Sequence, residues 1–170
     1  MKILPVLVAA LMVASLAGCA QTVALQPAED AVNPLCAEVS VRLPDTVNEL
    51  ERHETNAQGT GAWGSPSAVL LRCGVPVPDP TATLPCYSVD GIDWLFDKDG
   101  NKPNLVYTTY GRDPAVEVIL DPKKVVPGLV LLGLAPAVGY TAKERECTVI
   151  SDSLDSTATS TPTPTPGVTP

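Results

Sequence analysis

Histidine occurs once in this chain, as His53, inside the polar stretch Glu51-Arg52-His53-Glu54-Thr55-Asn56. An imidazole can act as a general base where it reaches the proton to be abstracted, but a lone histidine without apolar neighbours reads more readily as a solvated loop residue. The nearest serine pattern, Trp63-Gly64-Ser65-Pro66-Ser67, puts proline where a nucleophile elbow needs its helix to continue, so it reads as a loop. Asp90, Asp93, Asp97 and Asp99 could pair as acid and base on a sugar. Against that, successive side chains of a strand point to opposite faces, and aspartates are common at turns. The stretch Asp97-Lys98-Asp99-Gly100-Asn101 has the acid spacing of a calcium loop. Its glycine falls at the fourth position instead of the sixth, and Thr108 stands where the twelfth needs glutamate. A turn accounts for it better, and a Gly-rich phosphate loop is missing as well.

Sulfur chemistry is more specific. Lys2 opens an apolar run closed by Leu16-Ala17-Gly18-Cys19. Residues 3–16 are too few to span a bilayer, which takes roughly 20 apolar residues, but they have the length of a secretory signal's apolar region. The four closing residues resemble the lipobox of bacterial lipoprotein precursors, with small side chains at Ala17 and Gly18 before a thiol to be acylated. That resemblance implies removal of residues 1–18 and a diacylglycerol on Cys19. Two acyl chains, at about 0.8 kcal/mol per buried methylene, hold a protein on a membrane where one would exchange. Four cysteines remain, Cys36, Cys73, Cys86 and Cys147, an even number on the oxidising side of the membrane. Two disulfides are the natural reading, with three possible connectivities. Zinc is the rival, but C-x₂-C pairs are absent and His53 is isolated, so no metal and no cofactor is expected.

The chain has 11 Lys and Arg against 19 Asp and Glu; losing residues 1–18 removes Lys2 and leaves 10 against 19, a net charge of −9. Nucleic acid is therefore not an expected partner, and anionic head groups repel the surface on average.

The elements that must position these groups lie between two polar ends. Residues 19–33 show no sustained period and read as a tether, and residues 151–170, with Thr-Pro repeats, cannot bury enough apolar surface to order themselves. One domain is expected over residues 34–150. Asn33-Pro34 is an N-cap followed by proline at the first helical position, and Leu35, Val39 and Leu43 recur until Pro44 stops the pattern. Residues 53–67, rich in glycine and carrying Trp63, read as a loop. Residues 68–73 form a continuous β-rich run ended by Gly74, a central strand with Arg72 where it emerges. Asp90-Gly91 sits between two short apolar runs, a tight hairpin turn. Residues 97–103 make a second turn into a strand over 105–110, and Gly111-Arg112-Asp113-Pro114 leads to another over 115–120 with Val116, Val118 and Leu120 on one face. The apolar stretch 125–138 is interrupted by Pro127, Gly128, Gly133 and Pro136; a broken helix packed over that face is expected, then an edge strand around Cys147. The class is α+β, a small antiparallel sheet with a short N-terminal helix and a C-terminal helix packed on it.

Five blocks in this order are distinctive: Trp63-Gly-x-Pro66, Val69-Leu-Leu-Arg-Cys-Gly-Val-Pro76, Val89-Asp-Gly-Ile-Asp-Trp94, Thr109-Tyr-Gly-Arg112 leading into Val116-Glu-Val118, and Leu134-Ala-Pro-Ala-Val138. Together they resemble an actinobacterial family of exported proteins known as domain of unknown function 3515, over roughly residues 34–140. The resemblance implies an exported compartment and no particular catalysis. It also implies that Cys36 pairs with Cys73, which leaves Cys86 to Cys147.

Two functional classes follow. The first is a non-catalytic lipoprotein on the outer face of the cytoplasmic membrane, anchored through its lipid and presenting a small domain to an envelope protein or cell-wall partner. Trp63, Trp94 and Arg112 are then candidate contacts, since aromatics and arginine dominate interface hot spots; the rival placement of the tryptophans is the core. The second class is an envelope hydrolase using His53 or the Asp90/Asp93 cluster.

Overall fold

The computed structural model describes residues 22–80 and 83–148. Cys19, the apolar run before it and the Thr-Pro segment lie outside the described residues, as do positions 149–150 of the expected edge strand.

The short first helix, α1 (Pro34–Ser40), begins as its sequence predicts: the Asn33 side chain accepts from the Leu35 N–H, and proline occupies the first turn. Its buried face is Cys36 and Val39, with Leu43 just beyond, while Leu35 is only partly covered. Ten strands follow among the described residues: β1 (Thr46–Val47), β2 (Leu50–His53), β3 (Thr60–Trp63), β4 (Val69–Val75), β5 (Cys86–Val89), β6 (Ile92–Asn101), β7 (Asn104–Thr109), β8 (Arg112–Asp113), β9 (Ala115–Leu120) and β10 (Ala142–Lys143). A second helix, α2 (Pro127–Val138), lies between β9 and β10. Eight strands form one antiparallel sheet in the order β1-β2-β3-β4-β9-β7-β6-β5, and β8 pairs with β10 separately. The class is α+β, as expected, with more sheet than expected.

The extra sheet comes from residues 46–63. The loop expected over 53–67 holds β3 between two turns, with His53 ending β2, and Trp63 is the last residue of β3, fully buried. Glycine is tolerated inside β3 because the Trp63 ring lies over Gly61: a Cβ there would meet the ring at 2.7 Å. β1 and β2 are joined through Asn48 and Glu49, both with left-handed backbones (φ 48 and 65), a hairpin turn without the glycine that signals one. The Asp90-Gly91 turn is as expected, joining β5 to β6 with Val89 opposite Ile92. The turn expected over 97–103 is narrower: β6 continues to Asn101 through a bulge, which the Asp97 carboxylate closes by accepting from the Asp99 and Gly100 N–H groups.

β4 is central, but Arg72 does not mark its end. It pairs across the ladder with Glu117 of β9, and β4 runs on to Val75 with one face buried and the other half covered. The sheet's inner face, with Trp63, Leu71, Trp94, Val116, Val118 and Leu120, shares one core with Val130, Leu134 and Val138 of α2. Close backbone approaches join α2 to β1 and also to β5, the two outermost strands of the sheet. The sheet therefore curls so that one helix touches both its edges. α2 is continuous through Pro136, whose ring is exposed, and the backbone N–H of its N-cap residue Val126 donates to the Asn48 side chain.

Residues 22–33 do not form a free tether. Val23 extends the β1-side edge of β2, donating to the Glu54 carbonyl and accepting from the Asn56 N–H, and the Asp30 N–H donates to the Gly74 carbonyl. Ala31 is buried. At the other end, β10 covers only Ala142–Lys143, and Cys147 lies beyond it in irregular chain rather than in an edge strand.

Candidate functional site

The chemistry-bearing residues fall into three places. The first is a buried polar cluster between the Asp90-Gly91 hairpin, the β7–β9 connection and the C-terminus of α2. Arg112 donates to the carbonyls of Thr141 (2.8 Å), Gly91 (3.4 Å) and Gly139 (3.5 Å). A guanidinium suits this position, since it meets the carbonyl-rich end of α2 with several donors in a fixed fork. Burial pulls its pKa down, and the nearby Asp93 carboxylate counters this. Asp93, itself buried, accepts from the Cys147 N–H at 2.8 Å. Thr109, fully buried, accepts from the Val116 N–H at 2.9 Å where the strand pairing lapses near Pro114.

The structure places the candidate contacts Trp63, Trp94 and Arg112 in the interior, which for the tryptophans is the rival core placement. All three are buried, Trp63 and Trp94 with no exposed surface. Trp63 donates its indole N–H to the Pro44 carbonyl at 3.0 Å, and the Trp94 indole N–H is buried without an acceptor among the described residues. Arg112 is a strut that ties three segments together. Hot-spot chemistry and core chemistry use the same residue types, so type alone did not separate them.

The second place is the outer face of the sheet. Arg72 donates to Glu117 Oε1 through Nε (2.9 Å) and a terminal nitrogen (2.6 Å), an ion pair directly across β4 and β9. Leu95, Val106 and Ile119 lie beside it in a groove of about 370 Å³. Sequence reasoning missed this pair; the only signal was one charge inside each of two apolar strands. Asp93 and Arg112 do not line this groove with Glu117.

The third place holds His53. It lines a groove of about 780 Å³ with Thr22, Ala24, Ser65 and Ser67, so the structure does bring histidine and serines to one wall. Asp90 sits elsewhere, at the tip of the β5–β6 turn. Among the described residues no group of three or more histidine, cysteine or carboxylate side chains gathers to hold a metal.

The four cysteines close as Cys36–Cys73 and Cys86–Cys147, the pairing that the resemblance implies. Two disulfides indicate an oxidising, extracytoplasmic environment. No helix among the described residues is long and apolar enough to cross a membrane. No curated protein and no solved structure matches the chain. A family model described as "Protein of unknown function (DUF3515)" matches residues 1–147, and with that share of the chain covered, the protein belongs to this family.

Proposed function

We propose that this chain is an exported lipoprotein, held on the outer face of the cytoplasmic membrane through acylated Cys19, whose disulfide-locked domain serves as a non-catalytic binding or accessory module. Cysteine arithmetic carries the reading. Of five cysteines, four are joined in two disulfides, and the odd one closes the apolar run after Lys2 with small residues before it. A thiol in that setting is explained by acylation, and the two acyl chains would hold the protein stably. The module reading is supported by the fate of four polar residues outside the His53 groove. Asp93 and Arg112 serve as struts of the fold, and the Arg72–Glu117 pair neutralises itself.

The test is phase partitioning of the expressed full chain with Triton X-114. The wild type should enter the detergent phase and Cys19→Ser the aqueous phase; detergent partitioning of Cys19→Ser equal to wild type would refute the anchor. For the module reading, His53→Ala and Asp90→Ala should leave any partner capture unchanged.

A further inference from the structure

α2 contains no polar side chain at all, and a helix that is apolar all round is normally buried all round. This one is not. Its inward residues fill the core, while Val126, Leu129, Leu132 and Tyr140 are each about half exposed, with exposed Pro136 between them. They recur at helical spacing and form one outward stripe, a contiguous apolar surface of the sort that marks an interaction site.

We propose that this stripe rests on an anionic phospholipid surface. The first argument is charge. The chain carries 19 acidic residues, yet residues 122–143 contain none and hold Lys123, Lys124 and Lys143. Lys123 and Lys124 are exposed just before the stripe; at its far end Arg42, paired with Glu38, stacks on the Tyr140 ring at 3.8 Å, and Lys143 is paired with Glu146. Cations flanking an apolar helix face, with a tyrosine at its rim, match the layered polarity of a bilayer interface. Three acids beside the stripe are each bonded to a flanking residue, Asp121 to the Lys123 N–H, Glu38 to Arg42 and Glu146 to Lys143, and charges beyond a Debye length of roughly 10 Å are screened.

The second argument is where the chain leaves the domain, and it rests on the lipid anchor proposed above. Val23 lies on the same edge of β2 as β1, and α2 contacts β1 along that edge. Four links from Cys19 to Val23 reach at most about 14 Å. An acylated Cys19 would thus keep this edge against the bilayer, and a weak helix contact would be sufficient at that local concentration.

Vesicle flotation tests the contact without the anchor, using the chain from residue 19 onward with Cys19→Ser. It should float with vesicles of equal parts phosphatidylglycerol and phosphatidylcholine, float less with phosphatidylcholine alone, and be released by salt. Leu129→Asp/Leu132→Asp and, separately, Lys123→Glu/Lys124→Glu should each lower binding more than about tenfold. Both pairs are exposed, and an unchanged melting temperature shows that folding is intact. Three outcomes would overturn the proposal: no flotation, flotation indifferent to Leu129→Asp/Leu132→Asp, or sedimentation showing that this variant breaks a dimer, which would make a second copy the occupant. Cys19→Ser carries no lipid, so failure here leaves the anchor standing, and failure of acylation leaves this contact standing.

Discussion

Gly74 lies so close to Asp30 that a Cβ on the glycine would overlap the Asp30 carbonyl, while the Asp30 N–H donates to Gly74 O at 3.0 Å. Gly111 meets Arg145 in the same way near the other terminus and accepts from the Glu144 and Arg145 N–H groups. Each glycine has a positive φ, 90 and 65, and each terminal segment is secured again by a disulfide a few residues away. Gly91, with φ 74 and open space around it, is the natural control. Gly74→Ala and Gly111→Ala should each destabilise by more than about 2 kcal/mol, and Gly91→Ala by about 1 kcal/mol, in urea unfolding. Equal costs at all three would show that backbone approach adds nothing to strain.

The two tryptophans separate hydrogen bonding from packing. Both are fully buried, but among the described residues only Trp63 has an indole partner. Trp63→Phe should therefore cost about 1–3 kcal/mol more than Trp94→Phe, since it strands the Pro44 carbonyl. Chemical denaturation of both variants checks this, and a larger loss for Trp94→Phe would contradict it.

The disulfides should differ in accessibility. Cys36 and Cys73 are fully buried, whereas Cys86 and Cys147 are partly exposed. Limited dithiothreitol should open Cys86–Cys147 first and leave the fold intact, because exchange requires access to sulfur. Opening Cys36–Cys73 should follow only with unfolding, since its 37-residue separation corresponds to about 4 kcal/mol of loop entropy in the chain-entropy model. Peptide mapping after alkylation gives the order; the reverse order would contradict the burial argument.

Alkaline pH probes Tyr107. Burial, with the neighbouring Tyr87 phenol adding to it, raises its pKa above the ordinary phenol value. A folded pKa above the unfolded one gives a contribution that is complete below the ordinary phenol range and is lost as pH rises through the folded value. The wild type should lose more stability than Tyr107→Phe between about pH 9 and 11. Parallel slopes for the two would exclude the effect.

The second half of the sheet was legible because its turns carry their usual residues: Asp90-Gly91 and the alternation over 115–120 need no tertiary information. The first half was not. Glycine at 59 and 61 reads as loop, yet Gly59 supplies a positive φ before β3 and Gly61 yields its space to the Trp63 ring. Asn48-Glu49 turns the chain without glycine, a choice visible only through the bond Asn48 makes to α2. Residues 22–33 looked like tether because their hold on the domain is mostly backbone hydrogen bonding, which leaves little mark on side-chain type. Arg112 was legible as important but not as a strut, because its acceptors are main-chain carbonyls.

The central claim is the anchor, and mass spectrometry of the membrane-extracted mature protein tests it most directly. The account predicts an N-terminal peptide beginning at Cys19, heavier by a diacylglyceryl group and sensitive to Cys19→Ser. A mature chain that retains Met1, or one that begins near residue 19 with an unmodified thiol, would contradict it.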